Sequence, residues 1–87
     1  MRKSDIKNKI RERMRVKYGF SPHWKDITIV KLHVDEHKYF HVLISIEELI
    51  EKQGLVELRA PKRFYKLEYD GFNIEQTDEE GREYEAA

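Results

Sequence analysis

Four apolar residues, Ile6, Ile10, Met14 and Tyr18, recur every four positions between Ser4 and Gly19. That spacing predicts one helix with a single narrow apolar stripe. Ser4 suits the N-cap, and Gly19 suits the left-handed residue just past the C-terminus. At about 100° per residue, Lys7, Arg11 and Arg15 fall along one flank of the stripe and Lys9, Arg13 and Lys17 along the other. Such a helix packs by a thin seam, with long basic side chains lying over its edges and their heads in water.

Phe20 to Trp24 reads as a connector, because Pro22 has no amide hydrogen and biases Ser21 away from helix. Phe20 and Trp24 are expected to cover one end of the core. From Asp26 to Ser45 the chain is rich in β-branched and aromatic residues and is interrupted at Asp35-Glu36. This predicts a hairpin of residues 26–34 with 38–45. A three-residue loop through His37 pairs Leu32 with Phe40, Val30 with Val42 and Thr28 with Ile44. It leaves Lys31, His33, Tyr39 and His41 on the opposite face, and burial favours this register because a slip of one residue exchanges the faces.

Ser45 and Glu48 have capping-box spacing ahead of Ile46, Leu49 and Ile50, with Gly54 beyond, predicting a short helix over 46–53. Leu55 to Arg59 alternates as a strand with Val56 and Leu58 inward, Ala60-Pro61-Lys62 turns, and Phe64 to Tyr69 is the next strand. Asp70-Gly71 is a strong two-residue hairpin signal. It sets Tyr69 opposite Phe72, Leu67 opposite Ile74, and Lys66 opposite Glu75 as a cross-strand ion pair. The sequence thus predicts one small α+β domain over 1–76, in the order α-β-β-α-β-β-β, with a mostly antiparallel sheet. Residues 77–87 show no apolar period and are expected to form a flexible acidic tail.

Composition narrows the picture. With 87 residues there is room for one domain, and 39% of them are charged against roughly 25% in an average globular chain. The absence of cysteine excludes disulfides, thiolate catalysis and Cys-based zinc sites. No apolar run approaches the length of a membrane span, so no membrane partner is expected and a cytoplasmic protein is the plain expectation.

Net charge is zero, but the charge is segregated. Residues 1–17 carry eight Lys/Arg against Asp5 and Glu12, while residues 65–87 carry eight acids against Lys66 and Arg82. The two ends therefore hold +6 and −6, the kind of asymmetry that points to an anionic partner or to a tail folded back on the helix.

No catalytic motif is present, and no enzyme activity or cofactor is expected. Lys31, His33, Tyr39 and His41 share a sheet face and have the residue types of acid–base catalysis, as in compact ribonucleases. They lack a positioned nucleophile–base pair, and the plainer reading is a solvated hairpin face. A metal site from His33, His37, His41, Asp35 and Glu36 lacks an evident third ligand, so no metal is expected.

The basic helix is the stronger signal. Lys7, Lys9, Arg11, Arg13, Arg15 and Lys17 can follow a phosphate backbone. Arg59, Lys62 and Arg63 add a second cluster beside Phe64 and Tyr65, where rings and cations together can stack bases and hold phosphates. The expected function is a non-enzymatic binding module for an anionic partner, nucleic acid first. A small regulatory or inhibitory protein that docks on another protein is the alternative.

Overall fold

A computed structural model of the chain describes residues 2–82. The apolar stripe becomes α1 (Lys3–Tyr18), which buries Ile6, Ile10 and Met14. Tyr18, the last residue of the stripe, lies half-exposed at the helix end. Gly19 closes α1 with φ 80° and donates its amide to the Arg15 carbonyl at 2.9 Å. At the other end the N-cap is Arg2 rather than Ser4. Asp5 takes the polar role there by accepting the Arg2 amide at 3.3 Å, so the cap falls two residues earlier than the Ser4 signature indicates.

A single 3-10 turn (Trp24–Asp26) leads into β1 (Ile27–Val34) and β2 (Phe40–Ile46). There follow β3 (Leu49–Gln53), β4 (Val56–Arg59), β5 (Arg63–Glu68) and β6 (Asn73–Thr77). The fold is α+β. The described strands form one four-stranded antiparallel sheet, ordered β1-β2-β5-β6, and a separate β3–β4 pair. Helix residues Ile6, Ile10 and Met14 meet Ile27, Phe40, Val42, Ile44, Ile46, Tyr65, Leu67 and Ile74 in one core.

The Asp70-Gly71 hairpin has the register expected of it, with Leu67 opposite Ile74 and Lys66 opposite Glu75. Lys66 places its ammonium 2.9 Å from Glu68 on its own strand. Tyr69, Asp70 and Gly71 all take positive φ in this turn. At Gly71 a Cβ would stand 2.7 Å from Arg13 Cγ, so glycine is needed for space as well as for conformation.

The first hairpin keeps the expected sides in its outer half but neither the expected pairs nor the expected burial on β1. Val30, Leu32 and Val34 are 40–45% exposed, while Phe40 and Val42 across from them are buried. Leu32 faces Val42 and Val34 faces Phe40, across a five-residue loop from Asp35 to Tyr39. Asp35 Oδ1 accepts the amides of His37 and Tyr39 at 2.9 and 3.0 Å, and Lys38 takes φ 71°, which together hold the longer loop. The register then shifts between Ile29 and Lys31. The sequence explains the bulge: apolar residues occupy odd positions at Ile27 and Ile29 but even positions from Val30 onward, and one extra residue reconciles the two phases.

The helix expected over 46–53 is instead strand β3. Ser45 and Ile46 are held in β2 between Thr28 or Ile27 on one side and Phe64 or Arg63 on the other, so Ser45 cannot cap a helix. Glu48 turns to Arg63, and Gly54 begins a two-residue loop between Gln53 and Val56. Val56 and Leu58, expected inward, are 71% and 55% exposed. Trp24, expected over the core, is 51% exposed, whereas Phe20 does pack against it.

Thr77, placed in the tail by its sequence, is the last residue of β6 and is buried. Asp78 then organises a turn, accepting the amides of Glu80 and Arg82 on Oδ1, both at 2.9 Å. These bonds, the one from Arg82 foremost, hold its carboxyl below the ordinary aspartate range. A Cβ at Gly81 would stand 3.6 Å from Leu43, which places this turn near the sheet face turned away from α1. The rest of the expected tail, residues 83–87, lies outside the described residues.

Candidate nucleic-acid interface

The seam of α1 points inward, so its basic residues fall on the two sides by which the helix meets the rest of the molecule. On the connector side, Lys7 Nζ donates to the Trp24 carbonyl at 3.2 Å and Arg11 Nε donates to the Pro22 carbonyl at 2.8 Å. Arg15 continues this side and is exposed. On the hairpin side, Lys17 donates to the Ile74 carbonyl and the Arg13 guanidinium sits 4.1 Å over the Phe72 ring. Arg13 Nε is buried with no hydrogen-bond partner among the described residues. Lys9 is half-buried beside a shallow recess lined by Asp5, Asn8, Glu12, Phe40 and Asp70.

These contacts satisfy hydrogen-bond donors without cancelling charge, because a carbonyl or a ring face carries no formal charge. Among the described residues, no Lys or Arg of α1 lies within ion-pair distance of a carboxylate.

The second basic cluster has the opposite character. Arg59 donates to Asp26 at 2.8 Å, to Glu57 at 2.9 and 3.1 Å, and to the Glu47 carbonyl at 2.9 Å. Those bonds, led by the one to Asp26, push its guanidinium further toward the charged form. Arg63 pairs with Glu48 while lying over the rings of Phe20 and Tyr65. Lys62 is exposed at a recess that also holds Asp78 and Glu79. Arg59, Lys62 and Arg63 thus sit among acids from three other segments, at Asp26, Glu48 and Asp78-Glu79, besides Glu57 on β4 itself. The distant partners are not revealed by residue spacing along one strand.

The histidine group is drawn together on the outer sheet face. His33 and His41 are direct cross-strand partners with ring centroids 6.0 Å apart. His41 Nε2 meets Asp35 Oδ2 at 2.8 Å, and its Nδ1 accepts the Tyr69 amide at 3.4 Å. Tyr69 stands edge-on to His41 at 4.8 Å and to Tyr39 at 6.0 Å. Both imidazole nitrogens of His41 are therefore committed within the fold, and Lys31 and His33 flank the trough over Leu43. Among the described residues no group of three or more metal-ligating side chains comes together.

One surface feature was not singled out by sequence pattern. Trp24 is half-exposed, with the ammonium of Lys25 5.6 Å and that of Lys7 5.9 Å from its ring centroid and His23 stacked against it at 5.9 Å. Two cations within about 6 Å of one indole make a cation–π cluster. Its signal in the sequence was the run His23-Trp24-Lys25 beside a helix whose Lys7 flank faces it.

No family model, curated protein or solved structure matches the chain. Among the described residues no helix is long and apolar enough to cross a membrane.

Proposed function

We propose that the protein is a non-enzymatic binding module for single-stranded nucleic acid. The strand runs along the connector side of α1, with a base stacked on Trp24 and phosphates held by Lys7, Lys25, Arg11 and Arg15. The observation that carries this reading is the contrast between the two basic clusters. The α1 cations lack carboxylate partners among the described residues, whereas Arg59 and Arg63 are paired with acids. Uncompensated positive charge beside an exposed indole is the combination that binds single strands without base-specific readout.

The test is binding of a short fluorescent single strand followed by anisotropy. Trp24→Ala removes a stacking platform and is expected to cost ~1–3 kcal/mol. Lys7→Ala and Lys25→Ala are expected to weaken binding and flatten its salt dependence, by about 0.7 in log–log slope for each phosphate no longer neutralised. Lys52→Ala, remote from the patch, should leave affinity unchanged. Failure of the full chain to bind any short single strand at low salt would overturn the reading.

A second reading, docking on a protein, is favoured by one observation. The β3–β4 hairpin exposes Leu49, Ile50, Leu55, Val56 and Leu58 without covering them.

A further inference from the structure

Among the described residues the β3–β4 pair has no neighbouring strand, and every residue from 49 to 58 is exposed. Its apolar side chains stand well clear, with Ile50 62%, Leu55 102%, Val56 71% and Leu58 55% exposed. A two-stranded hairpin without further strands or a covering helix is marginal in water, and its open edges are templates for another strand.

The open edge of β4 can be read residue by residue. Main-chain groups alternate sides along an antiparallel strand. Ala60 donates its amide to the Glu48 carbonyl, on the β3 side. Val56 and Leu58 therefore share that direction, and Glu57 and Arg59 turn their N–H and C=O groups to the open side.

We propose that this edge pairs with the same edge of a second copy of the chain. A two-fold interface requires that if residue i faces residue j, then j faces i. A two-fold axis perpendicular to the sheet also keeps each face on its own side, so the axis must fall on a residue. An axis at Glu57 sets that carboxylate against itself. An axis at Leu58 sets Leu58 against Leu58, Glu57 against Arg59 and Arg59 against Glu57. Val56 then faces Ala60, and the fully exposed Leu55 faces Pro61.

This one register uses the outward amides and carbonyls of Glu57 and Arg59 for four bonds between chains. It extends the intrachain Glu57–Arg59 pair, 2.9 Å long, into a ring of two acids and two guanidinium groups. The regular part of β3 offers nothing comparable, because an axis on Glu51 or Lys52 sets like charges opposite each other. Beyond them the ladder shifts between Leu49 and Glu51. Charge complementarity therefore selects β4, and the assembly is a four-stranded β3-β4-β4-β3 sheet shared by two copies. It is independent of the nucleic-acid reading and would place two basic helices in one particle.

The register predicts its own test. Leu58 faces its copy as a non-hydrogen-bonded pair, for which Cα atoms stand about 4.5 Å apart, inside the ~4.4–6.8 Å range a disulfide spans. The chain has no cysteine, so Leu58→Cys introduces a single thiol on a half-exposed site outside the core. Under mild oxidation it should form a covalent dimer at least about tenfold faster than Ile50→Cys, because pairing raises the effective concentration of the thiols.

In sedimentation experiments from low to high micromolar, the unaltered chain should move from monomer to dimer. Leu58→Arg should stay monomeric with unchanged circular dichroism and melting temperature. An unaltered chain that remains monomeric throughout overturns the proposal, and so does a Leu58→Cys thiol that links no faster than the Ile50→Cys control.

Discussion

Asp35 serves three groups with one carboxylate. Oδ1 accepts two loop amides and Oδ2 meets His41, and these bonds, that of His41 first, hold its carboxyl below the ordinary value of 3.8. A folded-state value below the unfolded one means a contribution to stability that is complete above the unfolded pKa. That contribution is lost as pH falls through the folded one. Asp35→Asn keeps an acceptor for the amides and removes the charge facing His41. Its melting temperature should fall below that of the unaltered chain near neutral pH, with the gap closing below about pH 4. A gap that is constant with pH would assign the effect to packing. This network was hard to see in sequence because Asp35-Glu36 signals a turn without fixing its length, and the partner at His41 is set only once the loop is five residues long.

At the scale of elements, legibility followed whether one signal or two competed for a segment. The α1 stripe had no rival, and Ile10 at its centre is fully buried. Ile10→Ala should cost ~2–4 kcal/mol, read as a lower urea midpoint with unchanged slope. An unchanged midpoint would mean that the helix is detached from the sheet. Asp70-Gly71 was equally clear, since its turn chemistry and the apolar pairs around it demand the same register. Residues 46–53 carried two messages. The Ser45–Glu48 spacing resembles a helix cap, but β2 is central in the sheet, and pairing on both of its edges carries the strand through Ile46. Tertiary pairing overrode a local signature there. The bulge in β1 was legible in principle, in the phase change of apolar positions between Ile29 and Val30.

At the scale of the whole molecule, zero net charge conceals a layout in which basic and acidic groups are treated differently. Acids cluster round Arg59 and Arg63, while the described acids Asp78 and Glu79 line a recess with Lys62 and Arg63 rather than approaching α1. Sequence alone located the excess charge of the helix but could not separate paired cations from unpaired ones, since the partners of Arg59 and Arg63 come from Asp26, Glu47, Glu48 and Glu57. It also assigned Trp24 to the core, where the structure puts it on the surface. The most direct measurement uses that residue. Trp24 is the one tryptophan in the chain, so its emission reports on the proposed platform without a label. Titration with a short single strand at a series of salt concentrations should quench the emission saturably, with log affinity falling linearly in log salt at about 0.7 per phosphate engaged. Emission that stays unchanged at the lowest salt, under conditions where the chain is folded, would contradict the account.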